Sequence, residues 1–375
     1  MKKHIVLIVV TISLIIAGFW GAPQFKSLSD HDSLKDMRSP SYELQANAKT
    51  PFKSATVADD LVTPKKVILS CKEKNEDFTE PKEMESIIAA LKANNSFKSR
   101  MASALLPAGE FFDFDRTTDK DVKRGLSLLN ALSVEFPENN MIHYFLVAEC
   151  IQESTQEVCG KTAIDRAIKY DAHNGSLWFL ISIIKSKNGD LEGAISALEQ
   201  LVVAPNFDEY WAEGIELFST ALYENGLISD TERMIASIGF TAATIVPNPT
   251  ALFNLCKGNS WERGDVAQLC LEAGDSLFLR SETRLNKALG LALKNTVYEV
   301  LKDEENMALS KNLSKQMSMS TVDQAKAFQL MIYDTYLLNY WFEKLKLHGE
   351  DEASLYLVDE AIRLSSNPDY DPCRN

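Results

Sequence analysis

The chain has 375 residues, 45% hydrophobic and 25% charged, which supplies enough apolar side chain for a substantial core in one elongated or two compact domains. Its 53 acidic residues outnumber 39 basic ones, for a formal charge of −14; this argues against duplex nucleic acid as a partner, because phosphate binding needs a basic footprint. An acidic surface of this kind keeps a protein soluble or meets basic peptides.

The chain opens Met1-Lys2-Lys3-His4, and Ile5 to Ala22 follows as eighteen positions without a charge. As a helix this stretch spans ~27 Å, close to a hydrocarbon core of ~30 Å. It is either a cleaved signal peptide or a retained anchor. Trp20 at −3 and Pro23 after Ala22 fit a cleavage site poorly, so residues 1–22 are expected to be an uncleaved single-pass anchor. Lys2 and Lys3 favour a cytoplasmic amino terminus, against a weak opposing bias from Lys26, Lys35 and Arg38. The body would then lie in the periplasm, tethered to a bacterial inner membrane. Residues 23–66 lack a helical period and read as a linker, whose flexible reach is ~35 to 40 Å.

Residues 67–246 are expected to be helical hairpins. The short run Val67 to Cys71 is a strand or an extended cover. Glu83 to Leu106 reads as one or two helices broken near Asn94-Asn95. Phe111 to Asp121 places carboxylates at alternate positions, like the first half of a calcium loop, but Thr118 stands where the sharp turn needs glycine and Arg124 where a bidentate Glu is required. The competing reading is a capped helix start at Asp119 or Asp121. Gly125 to Phe136 is a helix closed by Pro137.

From Met141 a period becomes visible. Tyr144, Trp178 and Trp211 stand 34 and 33 residues apart, and Pro137 and Pro205 stand 68 apart. The clearest unit starts at Gly175, carries Trp178 early, turns at Gly189 and has Asp190 as a helix cap. Leu191, Ala194, Ile195, Leu198, Leu201 and Val202 then form an apolar stripe at helical spacing. This pattern resembles the tetratricopeptide family, a 34-residue pair of antiparallel helices with an early aromatic, small crossing residues and a late proline. The match is degenerate: Lys185 stands where the family has Tyr, Gly160 replaces an Ala, and Pro205 falls about one residue early. It covers residues 119–226.

Trp211, Ile215, Phe218 and Leu222 line a further helix stopped by Asn225-Gly226, and Asp230 to Val246 closes that pair. Pro247-Asn248-Pro249 marks a boundary. Beyond it, residues 247–375 read as a helical C-terminal part: Thr250 to Cys256, Asp265 to Phe278, Glu282 to Leu301 and Thr321 to Leu347. The last of these opens on a capping-box pattern, Thr321-Val322-Asp323-Gln324, and is apolar on nearly every face, so it must be surrounded.

Six cysteines in an exported chain suggest bridges. Hairpin topology brings Cys150 to Cys159 and Cys256 to Cys270, while the pairing of Cys71 and Cys373 stays open. A thiolate–imidazole pair of Cys150 with His143, two helical turns apart, is the sharper alternative to a structural cysteine and a surface histidine. The chain has no HExxH, Walker loop, GxSxG or GxGxxG, and no zinc-ligand spacing, so no catalytic residue, metal, cofactor or small-molecule substrate is named. The fold class expected is all-α, a tetratricopeptide-like solenoid with a helical C-terminal extension and an N-terminal anchor helix. What the resemblance implies is a non-catalytic scaffold that binds a protein or peptide of the cell envelope. The first helices of the hairpins would line its groove, with Tyr144, Trp178, Lys185, Trp211 and Glu213 as candidates. The alternatives are an envelope enzyme with its site in the C-terminal helices and a structural cap of a larger assembly.

Overall fold

A computed structural model describes residues 67–71, 82–106, 119–152, 158–227, 229–244, 248–258, 265–318 and 321–374. The anchor, the linker and the calcium-like run 111–118 lie outside these. Among the described residues every regular element is a helix and no strand occurs. No helix among them is long and apolar enough to cross a membrane.

In chain order the helices are α1 (Lys82–Ala93), α2 (Phe97–Leu105), α3 (Asp119–Glu135), α4 (Asn140–Gln152), α5 (Lys161–Asp171), α6 (Gly175–Lys187) and α7 (Leu191–Val203). They continue with α8 (Trp211–Glu224), α9 (Asp230–Thr244), α10 (Thr250–Lys257), α11 (Asp265–Arg280), α12 (Arg284–Leu301), α13 (Glu304–Ser318), α14 (Val322–Met331) and α15 (Thr335–Ser365).

The sequence explains who sits in the middle. α4 and α6 are apolar around their whole circumference, and a helix of that kind is stable only when neighbours cover every side. Accordingly α3, α5 and α6 pack around α4, while α7 and α10 cover α6. Ile142, Phe145, Leu146, Phe179, Leu180 and Ile183 are at most 1% exposed in this first core. α11 then lies on α7, pairs with α12, and α12 pairs with α13. α11 and α12 approach so closely that a Cβ at Gly290 would stand 2.5 Å from the carbonyl oxygen of Gly274. Only glycine allows that crossing.

A second core is smaller and separate. It gathers α14, α15, Ile68 and Cys71 against one face of α8 and α9, through Ala212, Ile215, Met234 and Ile235. The other face of α8, with Leu217, Phe218, Ala221 and Leu222, belongs to the first core. α8 is therefore the wall between the two. The run Val67–Cys71 is the cover of the second core and forms no strand, held by Leu69 N–H donating to Ser365 Oγ at 2.9 Å.

Local signals place the helix ends. Asp190 accepts from Gly193 N, and Thr321 makes the full capping box with Gln324. The helix expected over Thr321 to Leu347 is two helices instead. Asp334 interrupts it, accepting from the N–H groups of Tyr336 and Leu337 and so starting α15 afresh. α15 is broken in turn at Gly349, whose φ of 77° is left-handed. His143 is fully buried rather than superficial, with Nε2 2.7 Å from the Pro137 carbonyl oxygen.

All six cysteines are bonded, as Cys71–Cys373, Cys150–Cys159 and Cys256–Cys270. The bond to Cys159 removes Cys150 from any thiolate–imidazole pair with His143. The Cys71–Cys373 bond spans 302 positions and ties the chain entering the body to the end of the C-terminal helices.

Candidate functional site

The residues that converge are acids. The corner before α6 and the stretch before α8 are stapled by Asn174, which is 2% exposed. Its Nδ2 donates to Asp171 Oδ2 and to the Asp208 carbonyl oxygen, each at 2.9 Å, and its Oδ1 accepts from Ser176 N and Asp208 N, each at 3.0 Å. Backbone bonds reinforce the staple, Gly175 N to Asn206 O at 2.8 Å and Asn206 N to His173 O at 3.0 Å. Tyr210, held left-handed at φ 53°, donates its hydroxyl to Asp171 Oδ2 at 3.1 Å.

This staple presents Asp208, Glu209 and, in the first turn of α8, Glu213 toward the turn between α11 and α12. Glu209 is buried; its Oε2 accepts from Thr283 N at 3.2 Å, while its Oε1 has no partner. The side chains of Thr283, Asn286 and Ser281 lie beside it and partly offset the effect of burial on its proton affinity. From the far side the break in α15 closes on the same turn. Glu350 N donates to Glu282 O at 2.9 Å, and Arg284 N donates to Glu350 Oε2 at 2.8 Å. A Cβ at Gly349 would lie 3.1 Å from Glu282 O, on top of a backbone that L-residues rarely adopt.

Burial dominates the electrostatics of this acidic node, against smaller opposing attractions of Arg284 and Lys287 on Glu350 and of Lys346 on Glu213. Burial pushes Glu282 up to about 8, with help from the charges of Asp208, Glu209 and Glu213. Burial likewise raises Asp208, Glu209, Glu213 and Glu350 above the usual carboxylate range. Asp171 is raised by burial in spite of its bonds from Asn174 and Tyr210. The nearby cations are engaged elsewhere: Arg280 with the carbonyls of Ala204 and Asn206, Arg284 and Lys287 with Asp351, and Lys346 with Glu216. Carboxyl groups crowded in one place with their proton affinity raised are able to hold protons or attract a basic group. Among the described residues no group of acids, histidines and cysteines is arranged to hold a metal ion.

Of the five residues expected to line a groove, Tyr144 lies beside this node, within reach of the charges of Glu209, Asp208 and Asp171. Tyr144 is core rather than groove surface, 2% exposed, with its hydroxyl accepting from Ser176 Oγ at 3.3 Å and its ring 5.3 Å from that of Tyr210. Trp178 is half-buried and donates its indole N–H to Ala172 O at 2.8 Å. Trp211 packs on the second core with its indole nitrogen unpartnered. Glu213 is the one in the acidic set itself. Lys185 stands apart at the other end of α6, paired with Asp190 at 2.8 Å. Sequence reading missed Asn174, Asp208, Glu209, Glu282 and Glu350. Adjacent acids such as Asp208-Glu209 look like solvated surface until their burial is known.

Comparison of the chain with protein families, with curated proteins and with solved structures finds no match.

Proposed function

We propose that the chain is a membrane-tethered, exported helical scaffold, built on tetratricopeptide-like hairpins, that docks a basic segment of a protein partner in the cell envelope at the acidic node. The carrying observation is the gathering of Asp208, Glu213 and Glu282 beside buried Glu209, with the local cations committed to other acceptors. Three disulfides support an oxidising compartment, and the apolar run Ile5 to Ala22 supports the tether. A basic side chain entering such a set gains charge-assisted hydrogen bonds and relieves the repulsion among the acids.

The test is a photo-reactive residue at Glu213 in the intact, anchored protein, compared with one at Glu199, an exposed acid on α7. A protein adduct formed at position 213, absent at 199 and lost in an Asp208→Asn, Glu282→Gln background, carries the reading. Equal adducts at both positions, or none at 213, sink it. Thiol labelling before and after reduction, on whole cells, tests export.

A second reading has one observation in its favour. Burial and the charges of Asp208, Glu209 and Glu213 push Glu282 up to about 8, which is how a carboxyl is kept protonated as a general acid in an envelope enzyme. In that case Glu282→Gln abolishes turnover while leaving the adduct at position 213 intact.

A further inference from the structure

The three disulfides sit in unlike places. Cys256 on α10 and Cys270 on α11 are both fully buried in the first core, and α10 is held by α6 and α12 as well. Cys150 and Cys159 are 9 positions apart, and the packing of α4 on α5 brings them together without the bond. Cys71 and Cys373 are 302 positions apart, and neither lies in an α-helix. Cys71 is buried, whereas Cys373 is half-buried in the single 3-10 turn Pro372–Arg374.

What this last bond holds is the Val67–Cys71 strap. Among the described residues the main chain of the strap makes one hydrogen bond, Leu69 N donating to Ser365 Oγ at 2.9 Å. Its apolar anchor is the buried side chain of Ile68, with Leu69 partly buried beside it and Val67 exposed. Fixing five residues in one conformation costs backbone entropy at each of them, a loss of the same size as the gain from one hydrogen bond and the burial of Ile68. The covalent bond therefore decides whether the strap stays. The strap in turn closes a loosely joined core, because α15 packs mainly on α14 and only lightly on α8 and α9.

We infer that the Val67–Cys71 strap is a redox latch, opened by a dithiol that enters at Cys373 and closed again by reoxidation. A thiolate of the dithiol attacks Cys373 Sγ and forms a mixed disulfide; the Cys71–Cys373 bond breaks, and Cys71 leaves as a thiolate that takes up a proton. The second thiol of the dithiol then displaces Cys373, so that the protein disulfide gains two electrons and two protons and the dithiol becomes a disulfide. Attack runs through Cys373 because Cys71 is covered. With the bond open the strap leaves, and the apolar surface of the second core that Ile68 and Cys71 cover meets water. A dithiol oxidoreductase of the compartment is the class of partner that fits this chemistry. The latch operates whether or not anything docks at the acidic node.

The test uses the full, oxidised chain and dithiothreitol as the dithiol, with released thiols trapped by iodoacetamide and located by peptide mass mapping. Under native conditions Cys71 and Cys373 are expected to be labelled about tenfold or more faster than Cys256 and Cys270, at a rate proportional to dithiothreitol. Hydrogen exchange on the labelled product should then show about tenfold or more loss of protection in peptides covering 67–71 and α15, with α4 and α6 unchanged, and reoxidation of an unlabelled sample should restore it. A bond that serves stability alone would be reduced only as fast as the whole molecule unfolds, at a rate that levels off with dithiothreitol. That outcome, or labelling of all six cysteines together, or a strap that keeps its protection after its bond is opened, overturns the latch. Cys71→Ser with Cys373→Ser is expected to show the open strap without dithiothreitol and no response of 67–71 to it. Where this variant fails to fold, the trapped wild-type chain decides, since it folds before the bond is opened.

Discussion

Trp178 and Trp211 stand 33 residues apart, each near the start of the first helix of a hairpin, yet their surroundings differ. The α6–α7 pair is enclosed by α4, α10 and α11. The α8–α9 pair meets α2 on one side and α15 on the other, so that it divides two cores instead of extending one row. The lesson is that equal spacing encodes the pairing of two helices, which is local. Where the pair docks depends on how many of its faces are apolar: α6 has no polar side, whereas α8 has two separate apolar faces.

The largest effects should separate these two settings. Phe179→Ala empties a fully buried site at the centre of the first core and is expected to cost about 3–5 kcal/mol, seen as a lower denaturation midpoint of the whole molecule. Leu345→Ala, in the second core, is expected to cost about 2–4 kcal/mol and to lower hydrogen-exchange protection in α14, α15 and Val67–Cys71 before elsewhere. Uniform loss of protection in both variants would merge the two cores into one cooperative unit. Cys71→Ser with Cys373→Ser sharpens the point. It is expected to cost about 2–4 kcal/mol, and the loosened residues should again be those of the second core.

How much of this was legible depended on range. The turn at Gly189, the stop at Gly226, the cap at Asp190 and the Thr321 box are written in three or four consecutive residues, and all four appear. Cys150–Cys159 and Cys256–Cys270 follow from hairpin topology. The break at Asp334 was hidden because an acid in an apolar run reads as one polar point on a helix, while its capping role needs the backbone turn before it. The acidic node was hidden for a different reason. Asp171, Asp208, Glu282 and Glu350 come from four segments up to 179 positions apart (350 − 171), and no spacing rule connects them.

The node also gives the boundary between the cores a pH dependence. Its folded-state carboxyls hold protons more tightly than unfolded ones, whose ordinary pKa is about 4.3 for Glu. Their contribution is therefore complete below that pH and is lost as pH rises through the folded value, about 8 for Glu282. Thermal unfolding should accordingly fall between pH 5 and pH 8.5, and Glu282→Gln should recover roughly 2–4 °C of the loss at the upper end, the modest size reflecting solvent screening. A midpoint that rises across this interval, or an unchanged slope in the variant, would remove the node from the account.

The smallest effect returns to the two tryptophans. Both are half-buried, and replacing either by Phe deletes a similar apolar volume, so the packing losses nearly cancel on comparison. They differ in the indole N–H. In Trp178 it donates to Ala172 O, and its removal strands that carbonyl; in Trp211 it has no acceptor, so its removal relieves a buried orphan. Trp178→Phe should thus be the more destabilising by about 1 kcal/mol in paired urea titrations. Equal costs would mean that Trp211 finds an acceptor in solution, and the second core would then be as well satisfied as the first.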